Sequence, residues 1–299
     1  MRKQKERNSI VIIVAYVVLG IISFMCIAPV VLMAVASFTD NDVLNLYGYT
    51  YFPQKWSLEA YEFLIKQGTV ISKSFLNSIL VTFMGTALGI MVTVLLAYTI
   101  SRKELVGRKL IMLFVFFTML FNGGMVPTYL MYTQIFHIKN TMWALLFPHL
   151  LVNGFNVLLV RTFFNENIPE VLLEAARIDG AGEISIFRNV VLPISKPILA
   201  TIGLLVGVGY WNDWYNGLLY LTNTKLFSLQ NYLNRILLDI QFMTQSMAGS
   251  AEAANALGKM PTITVRMAIA VIGILPLMII FPFFQSYFAR GMTVGAVKG

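Results

Sequence analysis

The side chains able to do chemistry in this chain are few, and most of them sit in apolar runs. Asn153 and Asn156 stand three apart in an uncharged stretch. On a helix that spacing puts both amides on one face. There they can bond the hydroxyls of a polar solute or reach across to a neighbouring helix. Asp213 lies among Tyr210, Trp211, Trp214 and Tyr215. Within an apolar span an acid marks a permeation path; at the water interface the same group is hydrated and inert. Both readings stand. Tyr210, Trp211 and Tyr215 offer flat faces for stacking, and equally the amphipathic shape of interfacial anchors. His149 is isolated and reads as a packed polar residue. Glu59 and Glu62 share a helical face, but no pocket accompanies them for glycoside chemistry. Gly258-Lys259 lacks the preceding glycine and following hydroxyl of a phosphate-cradling loop. A single cysteine, Cys26, excludes an intrachain disulfide and any cysteine metal spacing.

The elements that must position these groups follow from composition. Of 299 residues, 58% are hydrophobic and 12% charged, and the mean hydropathy is +0.74. Soluble domains carry about 25% charged residues, so a water-soluble enzyme is excluded, as is a disordered chain. Net charge is +8, but no soluble basic domain is visible that would bind nucleic acid. The chain reads as one all-α integral membrane domain, residues 1–299, because only helices and closed barrels satisfy their backbone in lipid. Six spans are expected, at about 10–38, 75–100, 110–136, 141–163, 197–221 and 267–289. Each supplies the roughly 20 apolar residues that a crossing needs. The first is too long for a signal peptide and has no clear cleavage site.

Placing both termini inside puts fourteen of the 22 basic residues on the cytoplasmic side and eight outside. Arg102, Lys103, Arg108 and Lys109 fall in one short internal loop, where the positive-inside rule is strongest. All four tryptophans then lie at or beyond the external interface. Gly85 with Gly89, and Gly203 with Gly207, have the four-residue spacing that lets helix backbones approach, although glycine is also common in such helices by chance. Pro29, Pro127, Pro148, Pro276 and Pro282 each tend to kink a span, and Asn122-Gly123-Gly124 is a candidate break in the third.

The connection at 165–196 is the most informative segment. It reads as two short helices joined by a hinge. Pro169 suits a first helical position and Glu170 favours the helix dipole. Gly180 suits the left-handed position after the last turn, and a second helix spans about 183–190, ending before Pro193. Ala175 and Ala176 make a small-faced patch between Glu174 and Arg177. With Ile178, Ile184 and Phe187 nearby, it has the apolar anchors and polar rim of a protein interface; a surface hairpin lying on the membrane is the plainer alternative.

Glu174-Ala175-Ala176, three residues, Gly180, nine residues, then Val190-Val191-Leu192-Pro193 resembles the EAA motif of membrane subunits of binding-protein-dependent ABC importers. Val190 stands where isoleucine is usual. Asn77-Ser78, the string Trp211-Asn212-Asp213-Trp214 and the tail from Gly291 to Gly299 are similar to maltose-type carbohydrate permeases, in particular the second, shorter permease subunit.

That resemblance implies a permease in a bacterial or archaeal cell membrane, forming half of a translocation path. Its implied partners are a second permease subunit, two ATPase subunits, an extracytoplasmic solute-binding protein, a sugar or oligosaccharide and the lipid bilayer. It implies ATPase-coupling roles for Glu174, Ala175, Ala176, Asp179, Gly180 and Pro193, and a place against the ATPases for the tail at 295–299. The external stretch around 223–266 would face the binding protein. Asn153, Asn156, Tyr210, Trp211, Asp213 and Tyr215 are the candidate substrate path. The chain is expected to be no enzyme and to bind no cofactor, with ATP and Mg on the partner ATPase. A permease for another solute, or an ion-coupled transporter, are the competing readings; the second leaves the 165–196 loop unexplained.

Overall fold

The computed structural model describes residues 2–66, 68–148, 150–246 and 262–296, with side chains at 12–66, 68–148, 150–242 and 263–283. His149, the segment 247–261 with Gly258-Lys259, and the tail at 297–299 are outside the described residues. The chain divides into two compact units, residues 1–68 with 235–275, and residues 69–234 with 276–299.

The first unit contains α1 (Arg2–Ser37), α2 (Asn41–Tyr47) and α3 (Glu59–Lys66). The apolar stretch of α1, Ile12–Ser37, is long enough to cross a membrane, and the helix runs through Pro29. Its exit is tightly built. The Asp40 side chain accepts from the backbone N–H groups of Asp42 and Val43, capping α2. Lys55 lies 2.6 Å from the same carboxylate, and Phe38 stacks on Tyr61 at 4.7 Å.

The second unit holds most of the chemistry. It contains α4 (Gly68–Ser101), α5 (Arg108–Leu120), α6 (Met125–Ile135), α7 (Trp143–Leu146), α8 (Gly154–Asn167), α9 (Glu170–Ile178), α10 (Glu183–Ile194), α11 (Lys196–Trp211) and α12 (Tyr215–Tyr220). Two further helices, α13 (Leu229–Ser246) and α14 (Thr262–Ala296), cross the boundary between the units. Helices dominate, and no named strand occurs among the described residues.

Three described helices are individually long and apolar enough to span: Ile12–Ser37 in α1, all of α4, and Ile263–Phe283 in α14. The other expected spans are broken. Between α5 and α6 the axis turns by 116°, at the anticipated Asn122-Gly123-Gly124. The stretch 141–163, expected as one helix, is interrupted at 147–153, because Pro148 has no N–H to continue α7 and Asn153 caps a new helix. The stretch 197–221 is interrupted at 212–214, after α11. Pro127 lies in the first turn of α6, where a missing donor is harmless.

A glycine seam joins α4 to α11. A Cβ on Gly85 would run into the ring of Tyr210; one on Gly89 would lie 3.0 Å from Val206, on Gly203 3.2 Å from Ile90, and on Gly207 3.3 Å from Thr86. Both glycine pairs therefore serve the same interface, each helix presenting its small face to the other's side chains. α5 packs against α8. At the other end of α4, Asn77 donates to the carbonyls of Lys225 and Phe227, both at 3.0 Å, and Ser78 Oγ accepts from the Leu229 N–H at 2.7 Å. These bonds hold the 222–229 turn against the helix.

Gly85→Val would overpack the seam and is expected to destabilise the protein by about 1–3 kcal/mol, read as a lower melting temperature in detergent. Gly20→Val, with nothing within 4 Å of its Cβ, should leave it within about 0.5 kcal/mol of wild type.

Candidate functional site

Two places gather the functional side chains: the interrupted ends of the helices, and the 165–196 loop.

At the interruptions, each break exposes backbone groups that lipid cannot satisfy, and polar side chains meet them. Asn122 Oδ1 accepts from the Gly124 N–H at 2.9 Å. Asn153 Oδ1 accepts from Phe155 and Asn156 at 2.9 and 3.3 Å. Asp213 Oδ1 accepts from the Asn216 N–H at 3.1 Å, and Oδ2 takes the Asn216 side-chain N–H at 2.9 Å. Asn216 also donates to the Pro148 carbonyl at 3.0 Å. The Tyr210 hydroxyl donates to the Leu146 carbonyl at 2.7 Å, at the end of α7.

The breaks converge. Asn122, Gly123, Leu151, Asn153 and Gly154 line a cavity of about 1250 Å³ together with Tyr132 and Trp143. Asn122 and Gly124 also border a second one of about 300 Å³, with Asp213, Tyr215 and Asn216 on its wall. The larger cavity is walled mostly by apolar and aromatic side chains, among them Phe121, Phe147 and Phe155, with Asn122 and Asn153 as its amides; the smaller one adds the Asp213 carboxylate and the Asn216 amide, and Asn122 borders both. Polar groups thus gather at broken helices, as they do at transporter sites.

The six candidate path residues separate. Asn153 is the cap before α8 and not a helical residue, so it does not share a mid-helix face with Asn156, which is buried in the first turn. Tyr210 and Trp211 are only 3% and 5% exposed. The Tyr210 ring fills the seam at Gly85, and Trp211 meets Phe75 edge-on at 5.9 Å. Asp213 and Tyr215 line the smaller cavity, where Tyr215 also meets Trp214 edge-on. Asn216 escaped the sequence reading. Its signal was the Asp213-x-x-Asn216 spacing, which lets an aspartate accept from a backbone N–H three residues on at the start of a helix.

In the loop, α9 begins after Pro169, which occupies the cap one residue before the expected position. Glu170 is in its first turn, Asp179 ends it, and Gly180 has φ +82°, a left-handed conformation that other residues adopt at a cost. α10 does not stop before Pro193. Its turn widens at 187–191, where the Leu192 N–H reaches back to the Phe187 carbonyl, and the helix continues through Pro193 to Ile194. Pro193 has no N–H to lose, so the wide turn accommodates it.

Only Leu173 of α9 is buried. Glu174, Ala175, Asp179 and Gly180 are exposed and Ala176 is half-buried. Ile178 and Ile184 stand 86% and 84% exposed, whereas Phe187 packs on Tyr98 at 4.9 Å. Arg177 bonds Glu183 and Glu104 at 2.9 and 3.1 Å, and Lys103 bonds Glu170 at 2.9 Å. The Tyr98 hydroxyl, then the Arg177 guanidinium, hold the Glu183 carboxyl below its ordinary pKa. The Glu104 carboxyl is lowered by its own backbone N–H and by Arg177. Since both are depressed, these ties hold above the ordinary carboxylate range and weaken as pH falls through the lowered values.

A helical membrane chain with interrupted apolar stretches, a cavity with amide groups at the breaks and an exposed helical elbow is built as the membrane subunit of a transporter. Residues 85–294 match the family described as binding-protein-dependent transport system inner membrane component, and the chain belongs to that family. It is 34% identical to the polygalacturonan/rhamnogalacturonan transport system permease protein YtcP of Bacillus subtilis (strain 168), over 98% of this chain and 100% of the relative. It is 29% identical to the trehalose/maltose transport system permease protein MalG of Thermococcus litoralis, over 99% of each chain. A crystal structure of a bacterial ABC transporter involved in import of the acidic polysaccharide alginate matches with a TM-score of 0.77 at 29% identity, covering 92% of this chain and 95% of that one. The chain is an ABC importer permease subunit, a multi-pass membrane protein and not itself an enzyme.

Asn153→Ala removes the α8 cap and is expected to cost about 1 kcal/mol (roughly 0.5–2), while Asn153→Ser keeps a capping oxygen and most of the stability. Chemical denaturation of the purified protein in detergent distinguishes the two.

Proposed function

We propose that this chain forms half of the translocation path for a sugar or oligosaccharide. It would import with a second permease, two ATPase subunits and an extracytoplasmic solute-binding protein. Saccharides are what the names of its relatives specify. The observation that carries the coupling part of this reading is the exposed face of α9. Glu174 and Ala175 face outward with the apolar Ile178 and Ile184 beside them, and Gly180 sets the elbow at φ +82°. A small-residue patch rimmed by charge suits docking in a cleft of the ATPase. ATP-driven closure of the ATPases would move α9 and the helices tied to it. The chain itself would bind no cofactor, ATP and Mg belonging to the ATPase.

In this reading the membrane is crossed six times with both ends in the cytosol, the orientation favoured by the basic loop at 102–109. α5 and α8 form the inner halves of the third and fourth crossings, while α6 and α7 lie towards the outside. Asp213, Tyr215, Asn216, Asn122 and Asn153 border the path, and their amides and carboxylate suit hydroxyl-rich solutes. Tyr210 and Trp211 serve it from behind as the packing that holds α11 in place.

The test is uptake into proteoliposomes containing the assembled transporter and its binding protein. Oligosaccharide accumulation is expected with internal ATP and Mg, and none with an imposed proton or sodium gradient. Gradient-driven uptake without ATP overturns the proposal. Gly180→Leu, which forces a branched residue into φ > 0, should leave the subunit in the membrane and lower transport per ATP by roughly tenfold; normal transport removes the elbow's role.

A further inference from the structure

Resting on that reading, we infer that Arg177 is a positioning residue that transmits movement of α9 to α4. α9 is held to the second unit by little apolar packing, since Leu173 is its buried side chain. α10 is seated more deeply, with Ile186 and Val191 buried. A force applied to α9 needs stiff ties to reach the spans, and the structure places them at one point. The Arg177 guanidinium donates through Nε and Nη2 to Glu183 Oε1, at 3.2 and 2.9 Å. Its Nη1 donates to Glu104 Oε1 at 3.1 Å. The other oxygen of Glu183 takes the Tyr98 hydroxyl at 2.7 Å.

Arg177 therefore ties its own helix to α10 and to the loop following α4, and through Glu183 to α4 itself. The Tyr98 ring is gripped in turn by Phe187 at 4.9 Å and by the Arg102 guanidinium at 4.3 Å from its centroid. Lys103 and Glu170, at 2.9 Å, make a second strut from the same loop to the start of α9.

Two features argue for transmission over plain stability. The ion pairs are partly exposed, with side chains 35% to 57% accessible, and such pairs add little to folding. Their geometry is nevertheless directional: a planar fork bonded to two carboxylates from two different segments resists rotation as a single point charge does not. The receiving helix is also the one whose Gly85 and Gly89 bear on α11. A tilt of α4 thus reaches the seam beside the cavity at the breaks.

The experiment uses the transporter assembled with its partner subunits, in lipid nanodiscs, in a Cys26→Ser background. Spin labels at Leu76 and Val126, both exposed in the second unit, report the distance between α4 and α6 with and without ATP-vanadate. Wild type is expected to change distance on trapping. Arg177→Ala and Tyr98→Phe should retain co-purification of the ATPase and its hydrolysis, yet reduce the trapped fraction showing the new distance by about fivefold or more. Arg177→Lys should recover little, having no planar fork. If Arg177→Ala and Tyr98→Phe both switch as wild type does, the inference is overturned; so too if both variants lose the ATPase. If wild type itself neither captures an ATPase nor changes distance, the functional reading on which the inference rests has failed instead.

Discussion

A backbone in hydrocarbon has no water to bond, and this constraint organises the second unit. Where α5, α7 and α11 end within apolar stretches of the chain, the freed N–H and C=O groups need partners within the protein. Asn122, Asn153, Asp213, Asn216 and Tyr210 supply them. Because a side chain reaches only a few ångströms, groups that satisfy one another must be close, and the breaks are drawn together. The Asn216 bridge from Asp213 to the Pro148 carbonyl and the Tyr210 bond to Leu146 show the economy of this: one interruption is satisfied by residues of another. The cavities are the consequence, being the volume that helices leave when they stop at the same place.

The seam between α4 and α11 supports that arrangement from outside it. With no hydrophobic effect between helices in lipid, close packing and hydrogen bonds must hold them. Gly85 brings the Tyr210 ring into α4 closely enough for its hydroxyl to reach α7. Tyr210 is thereby buried in the packing between helices. α9 has the opposite character, with a single buried leucine and an outward apolar face. The polar ties through Arg177 connect it to the rest.

Much of this was legible in residue types and spacing. Composition excluded a soluble enzyme, and the apolar runs located the long helices α1, α4 and α14. The break at Asn122-Gly123-Gly124 was visible because glycine pairs and asparagine are turn formers wherever they occur. Gly180 was assigned its left-handed position for the same local reason, and the motif from Glu174 to Pro193 pointed to the family that the comparisons establish. The two glycine pairs were legible as spacing, although the chain order does not say that both serve one interface.

What depended on residues distant in the chain could not be read in advance. The hydropathy of 141–163 is continuous and predicts one helix; the helix ends before Pro148, whose carbonyl takes a bond from Asn216, sixty-eight positions on. α10 passes through Pro193 because a widened turn absorbs the missing N–H, a register that packing at Ile186 and Val191 selects. Asn153 looked like half of a helical pair and is a cap, and Arg177 looked like the rim of a patch and joins three segments. Local chemistry settles which residues favour a helix, a turn or lipid, since those preferences act over a few positions. Which polar group answers which broken backbone is settled by proximity in space, and that exists only once the helices have packed.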